Sequence, residues 1–306
     1  MLNQFTEDLP AMQVKGRDGY GIEADYIPFP ALKEYWSQDK VRDVLRHGDG
    51  AAQNVMPRQV TQEFLRVFSI LVYIGKPDRI SLFTTCGIKD EHLPLPALPP
   101  AWSNNWQGPA LFPEFEQAQW MFCPLEIDFP SLHRRKLDPR VILPVTYDNK
   151  LGSWSEGDPT EIWKVKINGG CSNLSRVTTP DGANGADSTV LPTEDLFAVF
   201  KTCSADPDAK EQFDIETNAY ASLPDKEYGR YREHILVYYG SFIQNGKHTI
   251  ILEFAEGGTL LQFFEKVPRP TRLEQFEMFW RRMSKLLLAL HIIHEMGVEN
   301  HGILSG

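Results

Sequence analysis

A chain of 306 residues, 42% hydrophobic and 24% charged, can hold two ordinary globular domains and bury a sizeable core. A net charge of -10 and a pI near 5.3 exclude a broadly basic surface, and with it general binding to nucleic acid or anionic membrane. The one compact basic cluster, His133-Arg134-Arg135-Lys136, reads as a solvated loop.

Cys86, Cys123, Cys171 and Cys203 are widely spaced and form no CxxC or Cys/His ligand pattern. With no signal-peptide core at the N-terminus they read as reduced thiols of a cytoplasmic protein, the nucleus being left open. The densest apolar run, 286–293, is interrupted by His291 and is far short of a membrane span. There is no internal repeat.

In chain order, residues 1–29 carry few periodic signals and predict an extended lead-in. Helical spacing of apolar residues predicts helices over 30–46 and 58–74, the second stopped by Gly75 and Pro77. Ile80 to Phe83 is a candidate strand. Six prolines between His92 and Pro113 predict an irregular connection, followed by a short buried segment at 115–122 in which Trp120 packs in the core. Beside the β-branched run 141–147 lies the predicted domain boundary, near 145. Strict alternation over 162–167 predicts a half-buried strand, and the polar stretch 168–192 a long loop. Strands at 197–201, 234–242 and 248–254 and a helix over 208–223 follow. Asn245-Gly246 marks a hairpin between the last two strands. Beyond Gly257-Gly258 the chain turns helical, briefly over 260–264 and then over 274–296.

Phe197-Ala198-Val199-Phe200-Lys201 is an apolar strand ending on a lysine, and Glu216 stands fifteen residues later on a helix. Alone, these are a snorkelling lysine and a surface carboxylate. The order of elements from about 148 to 297 nevertheless resembles the first half of a eukaryotic protein kinase domain. By that resemblance Lys201 and Ala198 belong to the Val-Ala-Ile-Lys strand, Lys201 contacts the α- and β-phosphates of ATP, and Glu216 is the helix-C glutamate that holds it. Thr249 to Leu260 resembles the strand, hinge and helix start between the kinase lobes. Leu252 would then line the adenine pocket, with the Glu253 carbonyl and the Ala255 amide bonding the adenine edge. The family's glycine loop, Gly-x-Gly-x-x-Gly followed by a valine, is matched at Leu151, Gly152, Gly157 and Val165. Trp154 stands in place of the second glycine, and Glu156 and Asp158 add negative charge. An ordinary hairpin fits this loop as well as a phosphate clamp does.

The long helix carries Phe276, Phe279, Trp280 and Met283 on one face, and from Leu286 it is apolar all round, which calls for burial on every side. Where the family places its catalytic loop, His301 takes the histidine slot and Ile303 the slot of the base aspartate. The family's metal-binding Asn and Asp-Phe-Gly would lie beyond Gly306.

The expected architecture is therefore α+β: a mostly helical N-terminal region of unknown role (1–145), then a kinase-like N-terminal lobe with the first helices of a C-terminal lobe (146–306). The N-terminal region loosely resembles that of fungal protein-kinase-like proteins. The expected function is the ATP-binding portion of a Ser/Thr-type protein kinase, catalytically incomplete as it stands, with Mg2+ required in a full-length parent. A pseudokinase or kinase-like interaction protein without phosphotransfer is the alternative, and an unrelated α+β domain a third reading. ATP is the expected ligand, the protein partner is unspecified, and neither nucleic acid nor membrane is expected to bind.

Overall fold

Phe5, Leu9 and Met12, at helical spacing, turn their faces inward and fold the start of the chain into α1 (Leu2–Met12). The computed structural model describes residues 2–47, 50–102, 107–128, 131–153, 160–174, 194–204, 206–222 and 235–302. The architecture is α+β, and the chain divides into two units. Unit 1 comprises Met1–Asp128, Leu137–Thr146 and Lys166–Leu196; unit 2 comprises Phe129–Lys136, Tyr147–Val165 and Phe197–Gly306.

Unit 1 corrects several expectations. The lead-in is not extended: after α1, β1 (Val14–Arg17) and β2 (Glu23–Tyr26) form an antiparallel hairpin. Its turn is closed by the Asp18 carboxylate, which accepts from the amides of Tyr20 and Ile22 at 3.0 and 2.9 Å. The helix expected over 30–46 is two, α2 (Phe29–Tyr35) and α3 (Gln38–Arg46), because Ser37 restarts the chain as an N-cap accepting from the Lys40 amide. After the single turn α4 (Gly50–Gln53), the helix expected over 58–74 also breaks, at Phe64, into α5 (Pro57–Glu63) and α6 (Leu65–Tyr73). Phe64 offers no side-chain cap; Asp90 supplies one, accepting from the amides of Arg66 and Val67 at 2.9 and 3.0 Å.

Ile80 to Phe83 is no strand but the start of α7 (Ile80–Cys86), which follows a 3-10 turn at Pro77–Arg79 and ends on Gly87 in the left-handed region. A four-residue apolar run fits a buried helix as well as a strand, and here its neighbours decide. The proline-rich stretch is irregular only as far as Trp102. Pro109 and Pro113 lie inside α8 (Gln107–Phe122), where the burial of Leu111, Phe115, Gln119 and Phe122 on one stripe outweighs the missing amide of Pro113. Gln119 grips the preceding segment at both ends of Leu95, accepting from its amide at 2.7 Å and donating to its carbonyl at 3.0 Å. Trp120 is buried beneath the Arg140 guanidinium. The core of unit 1 gathers Phe5, Trp36, Phe68, Phe83, Phe115 and Phe122, and each fully buried aromatic contributes roughly 1.5–3 kcal/mol.

Unit 2 is built on a six-stranded sheet. Its strands are β3 (Arg135–Leu137), β4 (Val145–Ser153), β5 (Glu161–Ile167), β6 (Leu196–Cys203), β7 (Tyr238–Gln244) and β8 (Lys247–Glu253), in the spatial order β3-β7-β8-β6-β5-β4. β6 and β7 both pair antiparallel with β8. The predicted hairpin turn is present, with Asn245 and Gly246 at φ 47 and 73. Between β6 and β7 runs α9 (Pro207–Ala221), started by Pro207 and capped by Asp206. α10 (Leu260–Lys266) and α11 (Leu273–Gly302) complete the unit. Leu287, Leu288 and Leu290 of α11 are exposed by 65%, 49% and 50%, so the burial that an all-round apolar helix calls for is not supplied here. The loop expected over 168–192 opens with a 3-10 turn at Gly169–Cys171, and its residues 175–193 lie outside the described residues.

Burial pushes the Asp90 carboxyl up from 3.8 to about 6, against the pull of its amide donors. A carboxyl held above its unfolded value favours the folded state below about 3.8, and that contribution is lost as pH rises through about 6. The stability of wild type relative to Asp90→Asn should therefore fall between pH 4 and 6, as read from urea midpoints. A difference that is flat or rises over that range would contradict this environment.

Candidate functional site

β6 is apolar enough to sit near the centre of the sheet, yet it places an ammonium group on the face that α9 covers. Phe213, Ile250 and Leu252 form the small core between helix and sheet, with Val199, Cys203 and Tyr238 packed on it. Beside that core the Lys201 Nζ donates to Glu216 Oε2 at 2.5 Å. The two side chains are 19% and 29% exposed, so the pair is shielded without being sealed. A lysine flexible through four methylenes is thus held at one point by a carboxylate on a helix fixed by its own packing. What this arrangement offers chemically is a localised positive charge at a fixed point.

The register of the sheet sorts the remaining candidates. Val199 pairs with Leu252 and Lys201 with Ile250, so these four residues share the α9 face. Ala198 and Phe200 alternate with them and point the other way, where both are fully buried and Phe200 meets Phe242. Ala198 therefore cannot line a pocket containing Lys201, and counting back two from the lysine leads to Val199 instead. Val165 is displaced in the same manner. Its neighbour Lys164 reaches Phe197, which lies on the Lys201 face, so the fully buried Val165 belongs to the opposite face. Leu252 is on the Lys201 face and almost buried.

Glu253 uses its side chain within the chain: its carboxylate accepts from the Val237 amide at 3.1 Å, and its own amide donates to the Val237 carbonyl at 2.8 Å. Ala255 lies in the exposed turn after β8, its carbonyl accepting from the Gly258 amide. Leu151 and Gly152 are in β4, with Leu151 half exposed. Gly157, together with Trp154, Glu156 and Asp158, lies outside the described residues, as does Ile303. His301 falls in α11.

Motif matching missed a second cation on the same face. Lys164 Nζ sits 4.0 Å from the Phe197 ring centre and 4.7 Å from that of Phe254, and it pairs with Asp148 at 3.0 Å. Two aromatic faces and a carboxylate fix this ammonium beside the start of the turn after β8. Its signal was present in the sequence: in a period-two strand Lys164 must face away from Val165. Among the described residues no group of three or more His, Cys, Asp or Glu is arranged to hold a metal ion, and no helix is long and apolar enough to cross a membrane. The four cysteines are free thiols.

Unit 1 contains a separate polar cavity of about 620 Å³, lined by Phe29, Arg66, Asp90, Glu126 and Cys171 among others. Its charges are largely satisfied internally: Arg66 pairs with Glu126 and lies over the Phe29 ring, and Lys89 pairs with Glu63.

If the Lys201–Glu216 contact is a formed pair, Glu216→Gln should destabilise unit 2 by about 1–3 kcal/mol, between the values for exposed and buried pairs. Lys201→Met added to it should cost little more. The check is a double-mutant cycle in urea; additive effects of the two substitutions would mean that the side chains do not interact.

Compared with known proteins, the chain matches no family model and no curated protein sequence.

Proposed function

We propose that unit 2 is a protein-kinase-like N-terminal lobe, the ATP-binding portion of a Ser/Thr-type kinase. In it Lys201 receives the α- and β-phosphates of ATP. One observation carries this reading: the 2.5 Å pair between a central strand and the helix inserted after it. An ammonium held in place suits a polyphosphate, because its position no longer has to be fixed when the ligand arrives. Glu216 supplies that restraint. Leu252 and Val199, side by side on the same face, continue the apolar surface beside the pair, where they also pack against the Phe213 core. Mg2+ would add charge neutralisation at the phosphates; no residue described here is assigned to hold it, and no phosphoryl transfer is derived for this chain.

A specific observation favours a second reading, a pseudokinase lobe that serves as a binding surface. Lys164, braced between Phe197 and Phe254, occupies the same face beside the turn where the adenine edge would be read. A base entering there must displace this ammonium from two rings and from Asp148.

Thermal unfolding with Mg-ATP separates the two. Under the first reading, nucleotide at about 100 times its Kd stabilises wild type by roughly 2.7 kcal/mol, and Lys201→Met abolishes the effect. Under the second, wild type gains nothing and Lys164→Ala acquires the response. No response in either protein would count against nucleotide binding altogether.

A further inference from the structure

We propose that Arg134 is a positioning residue for the Lys201–Glu216 pair, holding α9 from the side opposite Lys201 so that the helix cannot roll. The proposal deepens the kinase-like reading of unit 2 and rests on it for its consequence, though not for its geometry.

The basic cluster 133–136 is solvated at His133, Arg135 and Lys136, but it is not all loop, since Arg135 and Lys136 begin β3. Leu132 and Arg134 are bonded to β7: the Ser241 amide donates to the Leu132 carbonyl at 2.8 Å, and the Arg134 amide donates to Ser241 Oγ at 3.0 Å. β3 then continues as the edge strand beside β7. The approach is close enough to require glycine at 240, where a Cβ would lie 2.2 Å from the Leu132 carbonyl oxygen. Arg134 itself adopts φ 51, a left-handed conformation that side chains other than glycine rarely take. Its guanidinium pairs with Asp214 of α9 and donates from Nη1 to Asn218 Oδ1 at 3.3 Å. Next to it, His133 Nδ1 meets the Tyr238 hydroxyl at 2.9 Å, and Tyr238 stacks on Tyr220 of α9 at 5.1 Å. The segment 131–136 is thus tied to the sheet through its backbone and to the helix through Arg134.

The positions around α9 give this contact its effect. Phe213 points into the core between helix and sheet. At about 100° per residue, Asp214 lies about 100° to one side of Phe213 and Glu216 about 60° to the other. The two ion pairs therefore stand on opposite flanks of the buried ridge. A roll that loosened Asp214 from Arg134 would carry Glu216 along the same arc and change its distance to Lys201. The other contacts of α9 with the sheet, Phe213 stacked on His248 and Tyr220 stacked on Tyr238, are ring faces that can slide, and alone they leave that rotation less constrained.

The test is pulse labelling of Lys201 with acetic anhydride in the full chain, read by mass spectrometry, for wild type, Arg134→Ala, Arg134→Lys, Asp214→Asn and Glu216→Gln. Glu216→Gln sets the reactivity of an unpaired Lys201. The proposal expects Arg134→Ala and Asp214→Asn each to raise Lys201 labelling severalfold toward that level. Arg134→Lys, which keeps the charge but not the fork, should fall between. Lys247, on the β7–β8 hairpin, should label equally in all five proteins. Lys201 reactivity unchanged by Arg134→Ala and Asp214→Asn while Glu216→Gln raises it would overturn the proposal. So would a rise shared by Lys247, which would mean general loosening of the unit. Adding Mg-ATP to the pulse keeps the two claims apart. If ATP protects Lys201 in no variant yet the labelling order holds, the positioning role stands and the nucleotide reading falls.

Discussion

Unit 2 depends on one constraint: an ammonium and a carboxylate that leave bulk water only if they leave it together. Lys201 comes from a strand whose other residues seek burial, and Glu216 from a helix whose packing ridge is Phe213 and Thr217. Each group gives up part of its hydration there, and the contact with the other offsets part of that cost. The sheet and α9 are therefore joined by a polar contact as well as an apolar one, and the polar contact is the one with direction. Apolar packing fixes that the helix lies on the sheet; the ion pairs of Glu216 and Asp214 on its two flanks fix which way it faces.

The alternation of β6 decides what can surround that pair. Period two places Val199, Lys201 and Cys203 on one face and Ala198 and Phe200 on the other, and the pairing with β8 extends the division to Leu252 and Ile250. The same rule on β5 puts Lys164 with the lysine face and Val165 with its back. The face is thus more cationic and more aromatic than a nucleotide pocket built from Val165 and Ala198 would be. Whether that chemistry receives a nucleotide or keeps it out turns on how firmly Phe197, Phe254 and Asp148 hold Lys164.

Much of unit 2 was legible in the sequence because its signals are local. The alternation of 162–167 and the Asn245-Gly246 turn each act over a few residues, and each is found where expected. The Lys201–Glu216 contact needed the order of elements as well, since nothing local pairs residues fifteen apart. The errors share another cause. α1, α7 and the first turns of α8 exist because buried partners elsewhere in unit 1 outweigh weak or adverse local preference, most plainly at Pro113. Ala198 and Val165 were placed by likeness to a motif, where the alternation of β6 counted from Lys201, and of β5 counted from Lys164, puts each on the opposite face. Arg134 was hidden because its role depends on a left-handed backbone and a glycine more than a hundred residues away.

The most direct test of the central claim is labelling with an acyl-phosphate derivative of ATP, which transfers its acyl group to a lysine lying against the bound phosphates. A nucleotide gripped by the held ammonium predicts modification concentrated on Lys201 and suppressed by excess Mg-ATP. Modification spread over exposed lysines such as Lys247 and indifferent to competitor, with Lys201 untouched, would contradict it.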